Sequence, residues 1–156
     1  STILSTSTHH HTTKPTPSPS EYILDSGCNI ILVPNSEPNL TNRSALNLPT
    51  ATLADQTSTI PIINSATYGQ FRVLTADVSR ALVGESPLTK PPYRLSILKF
   101  SNRAYILDMA RSNNDPKQLV ATATLHNDDL YHLDHPTSLF NYQPSTATLN
   151  LPLIHI

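Results

Sequence analysis

EYILDSGCNIILV, Glu21–Val33, is the stretch on which the fold turns. Two apolar runs, Tyr22-Ile-Leu24 and Ile30-Ile-Leu-Val33, flank the turn-like Asp25-Ser-Gly-Cys-Asn29. Apolar, β-branched runs around a polar break read as strand, tight loop, strand. Asp25 follows three apolar residues. A carboxylate at the end of a buried strand costs free energy unless something satisfies it. Ser26 offers a hydroxyl to neighbouring backbone, and Gly27 lets a backbone or ligand come close. On its own Asp-Ser-Gly is also ordinary turn chemistry.

Outward from this stretch the pattern repeats. Residues 34–49 are polar and Asn-rich and read as a loop. Thr50 to Asn64 reads as a hairpin, with TATLA and TIPII as arms and Asp55-Gln-Thr-Ser58 as the connection. Phe71–Leu74, Ala81–Gly84, Leu95–Phe100, Ala104–Leu107, Leu119–Ala121 and Asp129–Leu133 supply further short strands, the central pair turning at Asn102. The best helix candidate is Ser86–Thr89, ended by Pro91-Pro92. Short strands at about ten-residue spacing point to an all-β sandwich or barrel. Residues 1–20 read STILSTSTHHHTTKPTPSPS. Such a segment buries too little apolar area to offset its chain entropy and is expected to be disordered.

Composition narrows the function classes. The chain has 156 residues, room for one ordinary domain with tails. Its net charge is −1, so no strong field draws it to nucleic acid or an anionic membrane. No apolar run approaches the roughly 18 residues of a spanning helix. A single cysteine, Cys28, excludes an internal disulfide framework and a multi-Cys zinc site. The first residue is Ser, and the sequence reads as a piece of a longer intracellular chain. His126, His132 and His135, beside Asp128, Asp129 and Asp134, read as ordinary strand and turn chemistry, and His9–His11 as polar linker; no metal site is assigned.

YILDSGC followed by an apolar run resembles the active-site loop of retropepsin-type aspartic proteases, above all those of copia-type retrotransposon polyproteins. Three further stretches fall in the same order. LADQTSTIPI (Leu53–Ile62) is similar to the family's flap hairpin, with Gln56 where glycine is usual. ADVSRALVGESPLT (Ala76–Thr89) carries the apolar-apolar-glycine signature at Leu82-Val83-Gly84. LVATATLHNDDLYHLD (Leu119–Asp134) resembles the segment leading from protease toward integrase, and His155 the start of an integrase zinc module, although no Cys-x-x-Cys follows it.

The resemblance implies an all-β, retropepsin-like closed barrel over 21–111, with a flap hairpin. A linker over 1–20 precedes it, and a pre-integrase connector over 112–156 follows. It implies an aspartic endopeptidase that processes a Gag-Pol-like polyprotein in the cytoplasm, within virus-like particles if the element is active. One carboxylate per chain implies a homodimer with Asp25 from each copy at the two-fold axis. Asp25, Ser26 and Gly27 form the implied catalytic set, and Asn29, Ala54, Asp55 and Gln56 the implied substrate contacts. No cofactor, membrane or direct nucleic-acid partner is implied. Cys28 reads as a packed side chain rather than a nucleophile. The alternative is an inactive remnant, or a structural or interaction segment of such a polyprotein; Gln56 and the low glycine count favour it.

Overall fold

Tyr22, Ile23 and Leu24 are all buried, and so are Ile31, Leu32 and Val33. Successive side chains of a strand point to opposite faces, so an unbroken buried run demands cover on both sides. The computed structural model, which describes residues 2–4, 21–53 and 57–145, provides that cover. In chain order the strands are β1 (Thr2–Leu4), β2 (Glu21–Asp25), β3 (Ile31–Pro34), β4 (Thr41–Ser44), β5 (Ala51–Leu53), β6 (Thr59–Ile60), β7 (Ile62–Tyr68), β8 (Phe71–Ala76) and β9 (Arg80–Gly84). Helix α1 (Glu85–Thr89) follows, then β10 (Ser96–Lys99), β11 (Arg103–Leu107), β12 (Leu119–Leu125), β13 (Tyr131–Leu133) and helix α2 (Pro136–Phe140). The all-β class read from the sequence is the class observed.

Among the described residues ten strands form one sheet in the order β10-β11-β12-β13-β2-β9-β3-β8-β7-β4, and β1-β5-β6 form a second. Alternation sorts the central strands between two cores. Tyr22, Leu24, Ile31, Val33, Val73, Ala81 and Val83 belong to the larger core. Ile23, Leu32, Leu74 and Leu82 turn the other way, into a smaller core with Cys28 and Ala51.

The closed barrel expected over 21–111 is not what forms. Among the described residues β10 and β4 end the ladder and do not pair with each other. Short helix α1 lies against β10: the Leu95 amide donates to the Leu88 carbonyl at 2.9 Å, and Lys99 pairs with Glu85. A backbone hydrogen bond and an ion pair, not a strand ladder, thus link β10 to the segment that follows β9.

Other expectations meet differences. Thr2–Leu4, inside the segment expected to be disordered, pairs in parallel with Ala51–Leu53, while residues 5–20 lie outside the described residues. The stretch 34–49 contains β4, whose pairing with β7 is broken by a register shift, so it leaves no clean two-residue period to read. The 50–64 hairpin is present as β5 and β6, paired Ala51↔Ile60 and Thr52↔Thr59. Its second arm resumes after Pro61 as β7, because a proline offers no amide to the ladder. Helix α2 carries Pro136 in its first turn, where a missing amide costs nothing.

Within the stretch expected as a connector, 112–156, β12, β13 and α2 belong to the same unit. β12 pairs with β11, and β13 pairs with β12 and with β2. Phe140 stacks on Tyr68 with centroids 3.9 Å apart and meets Tyr22 and Phe71 edge-on at 5.5 and 5.9 Å. Gly69 holds φ +60°, and a Cβ there would stand 1.8 Å from the Phe140 carbonyl oxygen. Only glycine suits this turn, for the backbone angle and for the close approach. The buried Asp108 accepts from the Tyr142 hydroxyl at 3.0 Å, and Arg111 donates to the Gln143 carbonyl at 2.7 Å. Residues 146–156, including His155, lie outside the described residues.

Asp134 is the polar pin of this half. Partial burial works against its charge, but the hydroxyls of Thr122 and Thr124 and the Arg103 guanidinium outweigh that and hold its carboxyl below the usual carboxylate range. A depressed folded-state pKa adds stability above the unfolded value of about 3.9, lost as pH falls through the folded value. Thermal unfolding of wild type is expected to lose more on going from pH 7 to pH 3 than that of Asp134→Asn. A second expectation follows from the shared core. With a specific protease site inserted at the exposed Asn113-Asn114 turn of the full chain, the cut halves should co-elute on gel filtration and keep their β circular dichroism. Separation into two folded pieces would refute this.

Candidate functional site

β2 and β3, joined by the Asp25–Ile30 loop, are neighbours in sequence but not in the sheet. β9 runs between them, parallel to β2 (Ile23↔Leu82, Asp25↔Gly84) and antiparallel to β3 (Ile31↔Val83). The loop therefore bridges the end of β9. The Gly84 amide donates to the Ile30 carbonyl at 2.8 Å. A Cβ on Gly84 would stand 2.4 Å from the Cys28 carbonyl oxygen and 2.6 Å from that of Ile30. Both neighbours are backbone, so the glycine is required for the loop to close over the strand. Leu82-Val83-Gly84 thus lies directly behind the Asp25 loop.

Within the loop the Gly27 amide donates to Asp25 Oδ1 at 2.8 Å, an Asx-type turn. The Cys28 amide faces the Asp25 carbonyl at 3.4 Å. Ser26, Gly27 and Asn29 are exposed and Asp25 is half-buried. Gly27 needs no special conformation: a Cβ there would meet only Asp25 Oδ1, at 3.4 Å. Cys28 is 1% exposed and its thiol donates to the Ile30 carbonyl at 3.3 Å. Burial pushes that thiol up to about 11, so it is a packed side chain rather than an activated nucleophile.

By the two-residue period of β2, Asp25 faces the same side as Ile23, the side of the smaller core. Ala51, Ile60 and Ile62 of the hairpin strands pack into that core together with Cys28 and Ile30. The hairpin and the Asp25 loop are thereby joined through one apolar cluster. Ala54, Asp55 and Gln56, read as substrate contacts, lie outside the described residues. Asn29 stays in the loop, two residues beyond Gly27.

Sequence reasoning missed the other wall. β13 pairs Tyr131↔Leu24 and His132↔Ile23, and Leu130, the residue before it, packs into the smaller core. The alternation Leu130-Tyr-His-Leu133 marked a strand, but no local signal tells which strand it joins. Beyond Leu130 lies an open depression of about 510 Å³ lined by Glu21, Leu125, His126, Asn127, Asp128 and His132. His132 Nε2 lies 2.9 Å from Asp128 Oδ2, and its ring stacks on His126 at 3.8 Å. Burial works against the Asp128 charge, yet His132, the Leu130 amide and Arg80 lower its carboxyl below the usual range. His135 is the N-cap residue of α2. Among the described residues no three of His, Cys, Asp or Glu converge as a metal site, and no helix is long and apolar enough to cross a membrane.

Comparison with protein-family models, with curated proteins and with solved structures finds no match to this chain.

The two glycines separate by the space around them. Gly84→Ala is expected to cost about 2 kcal/mol or more, since backbone must move, whereas Gly27→Ala should cost under about 0.5 kcal/mol. Urea unfolding of both variants checks the contrast; equal effects would refute the loop geometry.

Proposed function

We propose that this chain is an aspartic endopeptidase of the retropepsin type, acting as a homodimer on a retrotransposon polyprotein. The observation that carries the reading is the Asp25 loop itself. It closes over an inserted strand at Gly84, holds a half-buried carboxylate, and leaves Ser26 and Gly27 at the surface where a second copy can reach them.

The chemistry needs two carboxylates. Asp25 of each copy meets at the two-fold axis, about 3 Å from its mate, where both cannot ionise cheaply, so the pair shares one proton. Aspartic proteases are the type case of such a pair, which titrates as a unit. The ionised member takes a proton from water as general base, and the protonated member donates to the scissile carbonyl. Ser26 ties the two loops together. Gly27 accepts close backbone approach, a role consistent with its lacking any other need to be glycine. The 51–62 hairpin lies over an extended substrate and excludes water, and recognition proceeds by strand addition.

The test is cleavage of a peptide mixture at mildly acidic and neutral pH by wild type, Asp25→Asn and Gly27→Ala. Asp25→Asn should lose at least about a hundredfold in rate. Gly27→Ala should fold as wild type and still lose cleavage. Activity should rise more steeply than linearly with enzyme concentration while the dimer is partly dissociated. No cleavage at high protein concentration would refute the enzyme and leave the structural segment of a polyprotein as the reading, with Asp-Ser-Gly a turn only.

A further inference from the structure

Strand β5 has two backbone edges, and both are taken. β6 fills one through Ala51↔Ile60 and Thr52↔Thr59. β1 fills the other in parallel, through Thr2↔Ala51, Ile3↔Thr52 and Leu4↔Leu53. The hairpin strand therefore pairs over a longer stretch with a remote segment than with its own hairpin mate. β1, β5 and β6 form a sheet of their own, and among the described residues β1 ends it. Local chain geometry does not account for that pairing. Parallel strands cannot be joined by a tight turn and need a long crossover, here all of residues 5–50.

An uncovered strand edge is a row of amides and carbonyls with which any extended chain can pair. It is the surface that strand addition uses. β1 lies on the β5 edge as an added strand would, extended and in register with three residues. Its hold is brief. Three residues are the lower end of strand length in folded proteins, and parallel pairs are slightly weaker per residue than antiparallel ones. A strand held this way is open to exchange, and what keeps it in place is its tether. A tethered segment competes at about millimolar effective concentration. β5 is also tied to the Asp25 loop: Ala51 is fully buried and packs in one apolar cluster with Ile60, Cys28 and Ile30.

We propose that β1 is a built-in competitor: residues 2–4 fill, within the same chain, the β5 edge on which an extended peptide docks, and leave it when such a peptide takes their place. The ligand class follows from the pairing. It is an uncharged, β-prone peptide strand that runs parallel to β5 and therefore antiparallel to β6, and Thr2-Ile3-Leu4 is the sequence the edge already accepts. Strand exchange stands on this pairing alone. Its consequence for cleavage rests on the protease reading above, in which the docked peptide is the substrate. The chain then restrains itself: apparent affinity for peptide is lowered by the fraction of molecules whose β5 edge β1 holds.

Fluorescence anisotropy tests this with a fluorescein-labelled STILSTS peptide, the sequence of residues 1–7. Three chains are titrated: wild type, the double variant Ile3→Pro/Leu4→Pro, and a chain lacking residues 1–4. Successive amides of a strand point to opposite sides, so one of two adjacent prolines removes a donor that faces β5. The probe should bind both altered chains at least about tenfold tighter than wild type. The peptide STPPSTS, which breaks the same ladder from the ligand side, should bind none of them. Circular dichroism melts check folding, and the deletion carries the test if the proline pair fails to fold. Equal affinity for all three chains, no binding to any, or STPPSTS binding as well as STILSTS overturns the proposal. Peptide cleavage by the same chains separates the two claims. With both right, the altered chains show a lower KM and an unchanged kcat. Tighter probe binding without any cleavage sinks the enzyme and spares the strand exchange. Asp25-dependent cleavage with one probe affinity for all three chains sinks the strand exchange and spares the enzyme.

Discussion

The passage of β9 between β2 and β3 is the constraint on which the rest depends. It separates two strands that the chain joins by only five residues, and so forces the Asp25 loop to arch over the end of β9. The arch is possible because Gly84 has no Cβ to meet the Cys28 and Ile30 carbonyls. The same insertion buries β2, β9 and β3 on both faces, which is why their sequences are continuous apolar runs. One interaction thus explains the composition of three strands, the exposure of Ser26 and Gly27, and the burial of Cys28.

Two cores divide the work. The larger one carries most of the sheet, the aromatic contacts of Phe140 and Leu88 of α1. The smaller one links the Asp25 loop to the hairpin and to Leu130. A change at Ile60 or Ile62 therefore reaches the loop through packing, without touching Asp25. The 112–145 stretch belongs to both, since Phe140 fills the first and Leu130 the second. The unit that presents Asp25 is accordingly longer than the stretch that carries the protease-like motifs.

Much of this was legible in the amino acids. The short-strand pattern, the loop at Asp25, the 51–60 hairpin and the apolar run ending on Gly84 all rest on near-neighbour chemistry, and local periods report them. β4 was not legible, because an exposed strand with a register shift shows no alternation. Nor was the role of His132. Its spacing suggested a half-buried strand residue, but its partners Asp128 and His126 depend on how the β12–β13 turn folds back.

By itself, the sequence determined an all-β chain, a carboxylate at a strand end with glycine two residues on, one packed cysteine, and a net charge of −1. These follow from the period of side chains along a strand and from the backbone freedom of glycine, which are properties of a few consecutive residues. Tertiary structure alone decided that β9 enters between β2 and β3, that the ladder stays open at β10 and β4, and that β13 covers the free edge of β2. Those choices pair residues up to about a hundred positions apart, and apolar strands of similar pattern could pair in many orders. Joint burial accompanies the observed order: it gives Tyr22, Phe71 and Phe140 a common core and leaves Gly84 under the loop.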